Sequence, residues 1–475
     1  MKTFVYSIAL LLSALSTIAQ NVGIGTNAPV EKLHIAGNIK ADTAKHNVLK
    51  ITPNAGPGKL LTSDASGNAS WQSKTAAEGN LGYGVWGDCG TNANVTDYNP
   101  VADSQGAIGD WFGRAVAVSG NFAIVGAPRD NVNGNVMQGS VSFYQFNGTE
   151  WLLLQKITEN TGTANDQFGD AVAISGNYAA VGAPDDTEAA VSQGSVTVYE
   201  LIGGVWVKMQ KITDPTGGTG DNFGGTVSLA GNYLAVGAFL DDVGANNSQG
   251  SACVFQYNGN NWAFMNKLID ANGADDDHFG TSVCLYGTRL IIGAYSDDGA
   301  VADQGSASIY QFNGANWVFQ QKITDPTGTA TDYFGVSVSM YGDNIVVGAY
   351  ADDPLNITFL GSASFYRYNG TSWIFMQKMY NTKAIGGESY GRYVHMSGDY
   401  TVIGAPSKNS GAGGAYIYQK LGNTWGKLQE LNDPAENISG GFGDAVWIDG
   451  VTKQFVIGSY QFGGGIGRAV FGKIK

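Results

Sequence analysis

Carboxylates are the side chains whose spacing in this chain could do chemistry. Asp110, Asp166, Asp221, Asp277, Asp332 and Glu388 each stand two residues before a Phe-Gly or Tyr-Gly step. A second set, Asp130, Asp185, Asp186, Asp241, Asp242, Asp297, Asp298, Asp352 and Asp353, falls in longer variable segments, joined by Asp275-Asp276-Asp277. Grouped carboxylates are ligands for hard cations, Ca2+ above all, so the second set is the candidate metal set. Long loops on a rigid scaffold could equally engage a basic protein or a sugar. The competing reading is a solubilising acidic rim with Asp in turns. The first set keeps strict register, so it is expected to accept backbone N–H bonds from the turn that follows it.

One enzyme-like pattern occurs. Gly387-Glu388-Ser389-Tyr390-Gly391 matches the GxSxG nucleophile elbow, with His395 close behind. An elbow needs a strand running into a helix, whereas this segment is the sixth copy of an acid-x-aromatic-Gly unit that leads into a strand. His34, His46 and His278 have no metal-ligand spacing, and no phosphate-binding glycine loop precedes a helix. Cys89, Cys253 and Cys284 are odd in number and lack CxxC spacing, which suggests neither a disulfide framework nor a zinc site. No catalytic constellation and no required cofactor emerge.

The elements that carry these residues repeat. The aromatic-Gly step recurs at Phe112, Phe168, Phe223, Phe279, Phe334, Tyr390 and Phe442, with spacings of 56, 55, 56, 55, 56 and 52. After each step comes a short apolar or alternating run such as Ala171-Val172-Ala173-Ile174, then a tight Gly turn, then an apolar run such as the one ending in Gly182-Ala183. That is strand, hairpin, strand. Gly139-Ser140, Gly194-Ser195, Gly250-Ser251, Gly305-Ser306 and Gly361-Ser362 open a third strand. Asn147-Gly148, Asn258-Gly259, Asn313-Gly314 and Asn369-Gly370 supply the positive-φ pair of a hairpin into a fourth, which begins near a Trp. Seven four-stranded antiparallel units in one chain predict an all-β, seven-bladed β-propeller.

Ring closure is also legible. Only six fourth-strand Trp residues occur, Trp151, Trp206, Trp262, Trp317, Trp373 and Trp425, each 17 residues before the next step. Counting 17 back from Phe112 reaches Val95, so residues near 95–103 are expected to supply the missing outer strand of the last blade.

Phe112-Gly113 with Gly126-Ala127-Pro128, and Phe168-Gly169 with Gly182-Ala183-Pro184, resemble the FG-GAP repeat, over residues 95–475. The family, found in integrin α heads and exported bacterial proteins, implies a seven-bladed propeller with adhesion or ligand-binding roles. Its DxDxDG-type calcium loop between the first two strands has no counterpart here, since Gly176-Asn177 and Gly231-Asn232 are short turns. Residues 20–72, including Val22-Gly23-Ile24-Gly25 and Lys32-Leu33-His34-Ile35, resemble the short β segments of tail-fibre-like bacterial surface proteins, which implies homo-oligomerisation. Residues 73–94, rich in Gly, Ala and Asn, read as a linker.

Residues 1–19 read as a signal peptide, with Lys2, an apolar stretch and small residues up to Ala19, so a secreted or cell-surface protein is expected. No later stretch has the roughly 20 apolar residues of a membrane helix. The formal charge of −14 argues against nucleic acid as a partner. The expectation is an exported, non-catalytic binding or adhesion protein. Its acidic, loop-rich face would meet a protein, glycan or cation; the alternative is a structural component of a surface or extracellular matrix assembly.

Overall fold

The computed structural model describes residues 95–475 apart from Ile385 and residues 435–438. In the N-terminal part it describes the backbone of four short strands. The expected signal peptide, Cys89 and nearly all of the expected linker lie outside the described residues. The chain divides into two units, 1–79 and 80–475. In the first, Val22–Ile24 pairs in parallel with Leu33–Ile35, and Lys59–Ser63 pairs antiparallel with Ala69–Ser73.

The second unit is a seven-bladed β-propeller of four-stranded antiparallel sheets. Blade 1 runs from the innermost strand Ala115–Ser119 through Phe122–Ala127 and Ser140–Phe146 to the outermost strand Trp151–Ile157. Blades 2 to 6 repeat the order over residues 171–212, 226–268, 279–323, 334–379 and 394–432. Blade 7 has only three strands of its own, Ala445–Asp449, Gln454–Ser459 and Arg468–Ile474. Val95–Val101 completes it, with Val101 opposite Ala469 and Val95 opposite Ile474. The ring therefore closes as the Trp count predicts, and no blade is left with an open seam.

Burial explains why the second and third strands read as near-continuous apolar runs. In Phe122–Ala127 and Tyr178–Ala183 every residue after the first is buried, because each blade is packed on both faces by its neighbours. The outermost strands face solvent on one side and are mixed. Their Trp residues join blades: Trp206 stacks on Phe143 of blade 1 at 4.8 Å, and Trp151 on Phe471 of blade 7 at 4.7 Å. Aromatic stacking of this kind adds about 0.5–1.5 kcal/mol beyond area burial. Glycine is needed where blades approach most closely: a Cβ on Gly182 would meet the carbonyl oxygen of Gly224, in the next aromatic-Gly step, at 1.9 Å. The Gly of Gly-Ala and the Gly of the step thus form one inter-blade contact. Cys253 is wholly buried in its strand, and Cys284 accepts the Met340 N–H at 3.3 Å from the next blade.

Candidate functional site

Strand direction places the tight turns on one face of the ring and the variable loops on the other, and the acidic residues lie on the loop face. Five of the candidate ligands, Asp130, Asp186, Asp241, Asp297 and Asp352, are buried. Each carboxylate is paired with the lysine of its own blade's outermost strand: Lys156, Lys211, Lys267, Lys322 and Lys378. A second acid approaches the same ammonium, at 2.6 Å for Asp103, 3.6 Å for Glu159, 2.8 Å for Asp214, 2.7 Å for Asp270 and 2.9 Å for Asp325. Ser140, Ser195 and Ser362 donate their hydroxyls to Asp130, Asp186 and Asp352 at 2.7, 2.5 and 2.5 Å.

Asp214, Asp221 and Asp241 come within 4.8 Å of one another, a spacing a metal ion could use, and Lys267 bridges two of them. A lysine ammonium thus supplies the positive charge between these carboxylates.

The remaining candidates hold loops. Asp242, Asp298 and Asp353 accept the main-chain N–H of Ser248, Asp303 and Phe359 at 2.8, 2.9 and 2.8 Å. Asp185 accepts the Gln167 side-chain amide. Register shows that Asp185 is not the counterpart of Asp241: Asp186 pairs with the lysine, and Thr187 takes the loop-holding role, accepting Ser192 N at 3.2 Å.

The acids before the aromatic-Gly step are structural, with one difference from expectation. Their bonds come from the turn before them. Asp166, Asp221, Asp277 and Asp332 accept the N–H three residues earlier, from Thr163, Gly218, Ala274 and Thr329, at 2.5–2.6 Å. Burial raises these carboxyls above the usual range, Asp277 to about 6. In blade 6 the longer Glu388 accepts from Asn381 and Tyr416 instead, at 2.8 and 3.0 Å. Ser389 bonds Ser407 at 2.9 Å. His395 stacks on Trp447 at 3.8 Å, and its Nδ1 accepts the Ile448 N–H. Serine and histidine therefore have separate partners, and burial holds His395 neutral, with its pKa lowered to about 3.

Spacing did not reveal the site at the centre of the ring. The innermost strands enclose a channel of about 1190 Å³. On the loop face two variable positions of the repeat contribute to its lining, through Trp111, Gln167, Asn222, Phe239, Tyr295 and Tyr350. One is the residue between the acid and the aromatic: Trp111, Gln167, Asn222, His278, Tyr333 and Ser389 all sit there at φ between 52° and 61°. Side chains rarely adopt this left-handed conformation. In most blades the N–H is anchored by the preceding blade, as for Tyr333 on Asp303 O at 3.3 Å and Trp111 on Gly465 O at 2.8 Å. The other position follows Gly-Ala and carries Phe239, Tyr295 and Tyr350, or Tyr460 in the related Gly-Ser sequence of blade 7.

Together these positions form a half-buried aromatic belt. His278 packs on Phe239 at 6.0 Å and stacks on Tyr295 at 4.8 Å. Tyr295 meets Tyr333 at 5.6 Å, and Tyr333 stacks on Tyr350 at 5.5 Å. Across the mouth Trp111 lies 5.0 Å from Tyr460, with Arg129 against the Trp111 ring. The residue after the step adds charge in four of the seven blades: Arg114 and Asp170 form an ion pair at 3.4 Å, and Arg114 donates to the Tyr393 hydroxyl at 2.8 Å. Departure from the repeat at otherwise registered positions is the sequence signal that marks this belt.

The FG-GAP repeat model matches residues 99–144, 151–199, 206–255, 262–310 and 317–366. Each match runs from an outermost strand into the next blade, so the sequence repeat is offset by one strand from the structural blade. Among solved structures, the Pseudomonas aeruginosa periplasmic gluconolactonase PpgL is similar, with 11% identity and a TM-score of 0.43 over 67% of this chain and 85% of that one. No curated protein matches the chain. With five repeat matches on successive blades of a closed seven-bladed ring, the chain belongs to the FG-GAP repeat family.

Proposed function

We propose that this is an exported, non-catalytic binding protein whose ligand site is the mouth of the central channel on the loop face, and that the ligand is a saccharide. The observation that supports this most is the unbroken run His278, Tyr295, Tyr333 and Tyr350, four half-buried rings in succession, of which Tyr295 and Tyr350 line the channel. Tyrosine offers an apolar ring and a polar tip in one side chain, which suits the alternating C–H and hydroxyl surface of a sugar. Gln167 and Asn222, at the equivalent position of blades 2 and 3, add planar hydrogen-bonding groups at the same channel.

Several observations turn the reading from the acidic loops to the mouth. The aspartates there are bonded to lysines and to their own loops, so they have little free capacity for a partner. Catalysis lacks support, because Ser389 and His395 have unrelated partners. In this reading residues 20–72 self-associate, so that several weak sites act together by avidity.

A glycan array probed with the intact protein, followed by calorimetry on the best binder, tests the assignment. Tyr295→Ala and Tyr350→Ala are expected to weaken binding roughly tenfold or more without lowering the melting midpoint by more than a few degrees. Equal loss in the loop-tip variants Asp242→Asn and Asp298→Asn would move the site to the acidic loops.

A further inference from the structure

The mouth of the channel is not uniform around the ring. At the position after the aromatic-Gly step, blades 6, 7, 1 and 2 carry Arg392, Asp444, Arg114 and Asp170, whereas blades 3, 4 and 5 carry Gly225, Thr281 and Val336. A charged crescent therefore faces the aromatic one. Within it Arg114 is satisfied, by Asp170 at 3.4 Å and the Tyr393 hydroxyl at 2.8 Å.

Arg392 is not. It lines the channel and is held between rings, 4.9 Å from the centre of Tyr350 and 5.9 Å from that of Tyr393. Among the described residues its guanidinium makes no ion pair and no side-chain hydrogen bond. Asp444, at the same register one blade on, is buried and not ion-paired with it, and the Asp444 Oδ2 atom has no hydrogen-bond partner. A guanidinium presents five donors in a rigid fork that matches a carboxylate in two parallel bonds. Arg392 is half-buried, so its donors stay open to a ligand entering the mouth, and an anionic group there would accept charge-assisted bonds. Packing on Tyr350 fixes the fork in advance, so little side-chain entropy remains to be lost on binding. In a chain of net charge −14, Arg392 thus stands at an aromatic-lined opening with its guanidinium not ion-paired among the described residues.

We propose that the saccharide bound at the mouth carries a carboxylate, a uronic-acid residue, and that Arg392 receives it beside the Tyr350 ring. This rests on the saccharide reading given above and adds to it the charge of the ligand and the residue that reads it.

The test uses the intact protein and calorimetry with a panel of uronate trisaccharides of differing ring stereochemistry. Each is measured beside its primary amide, which keeps the shape and removes the charge. At least one acid is expected to bind roughly tenfold or more tighter than its amide, the size of one charge-assisted contact. Arg392→Gln should bring that acid down to the level of its amide while leaving the amide unchanged. Arg392→Lys should keep part of the preference, and the melting midpoints of both variants serve as a check on folding. Equal binding of every acid and amide, or a preference that survives Arg392→Gln, overturns the carboxylate assignment and leaves the saccharide site standing. Failure of every acid, amide and neutral glycan to bind overturns both.

Discussion

The side-chain amide of Gln321 closes a two-bond ring with the main chain of Trp373 in the next blade: its Nε2 donates to the Trp373 carbonyl at 2.9 Å and its Oε1 accepts the Trp373 N–H at 2.7 Å. The same clasp joins Gln155 to Trp206, Gln210 to Trp262 and Gln377 to Trp425. It bonds outermost strands that the blade sheets themselves leave unpaired. Gln321→Leu should cost about 1–3 kcal/mol, since it strands two main-chain groups. Urea unfolding of the two proteins measures it.

Asn266 occupies the clasp position in blade 3 and its Oδ1 is buried without a partner. One more methylene would give it the length of the glutamine in the other blades. Asn266→Gln is therefore expected to raise stability by about 0.5–1.5 kcal/mol, the net value of a hydrogen bond. A drop in the melting midpoint would show that the blade 3 to blade 4 seam is too narrow for the longer side chain.

Lys378 neutralises two buried acids, Asp325 and Asp352. Lys378→Met leaves both carboxylates without their cation and should cost about 3–5 kcal/mol. Adding Asp352→Asn to that variant should recover part of the loss, and the non-additivity, read by urea unfolding of the single and double variants, isolates the pair from the packing of the lysine stem.

Calcium should leave thermal stability unchanged. A ligand that binds only the native state raises the midpoint, and here the grouped carboxylates already hold lysines. Melting scans with millimolar calcium and with chelator are expected to superimpose. A rise with calcium would mean that the ion displaces a lysine, and Lys267→Ala should then strengthen it.

Burial pushes the Asp444 carboxyl up to about 7, against the pull of Arg392 and Arg114. The native state therefore binds a proton more readily than the unfolded chain, whose Asp titrates near about 4. Its contribution is fully present below pH ~4 and is lost as pH rises through about 7. Asp444→Asn should remove this decline, so that the variant gains on the native protein as pH rises from 4 to 8. Unfolding midpoints taken across that range show it; parallel curves would mean that Asp444 is charged throughout.

Much of this is legible in the sequence. The repeat of Phe112 through Phe442 and the missing seventh Trp carry the blade number and the closing strand, because a propeller blade is a local unit whose pattern depends little on its neighbours. The roles of the acids were less so. Whether Asp130 or Asp241 faces a metal, a lysine or water depends on which outer strand returns beside it, and that lysine lies 26 residues away in the chain. The channel mouth was hidden for a related reason. Its members are single residues about 55 positions apart, such as Tyr295 and Tyr350, which only the closing of the ring brings together.

The left-handed backbone beside each step has an evolutionary consequence. Trp, Gln, Asn, His, Tyr and Ser all hold nearly the same φ there, and in all but Asn222 the main-chain N–H is bonded to the neighbouring blade whatever the side chain. Side chains of very different size and polarity, none of them β-branched, are thus accommodated in one backbone conformation. Under the binding role proposed above, exchange at one of these positions would alter what the opening recognises while the main-chain bonds between blades remain. Paralogues with different specificities could therefore arise from a handful of codon changes, with no insertion, no new loop and no compensating repair elsewhere.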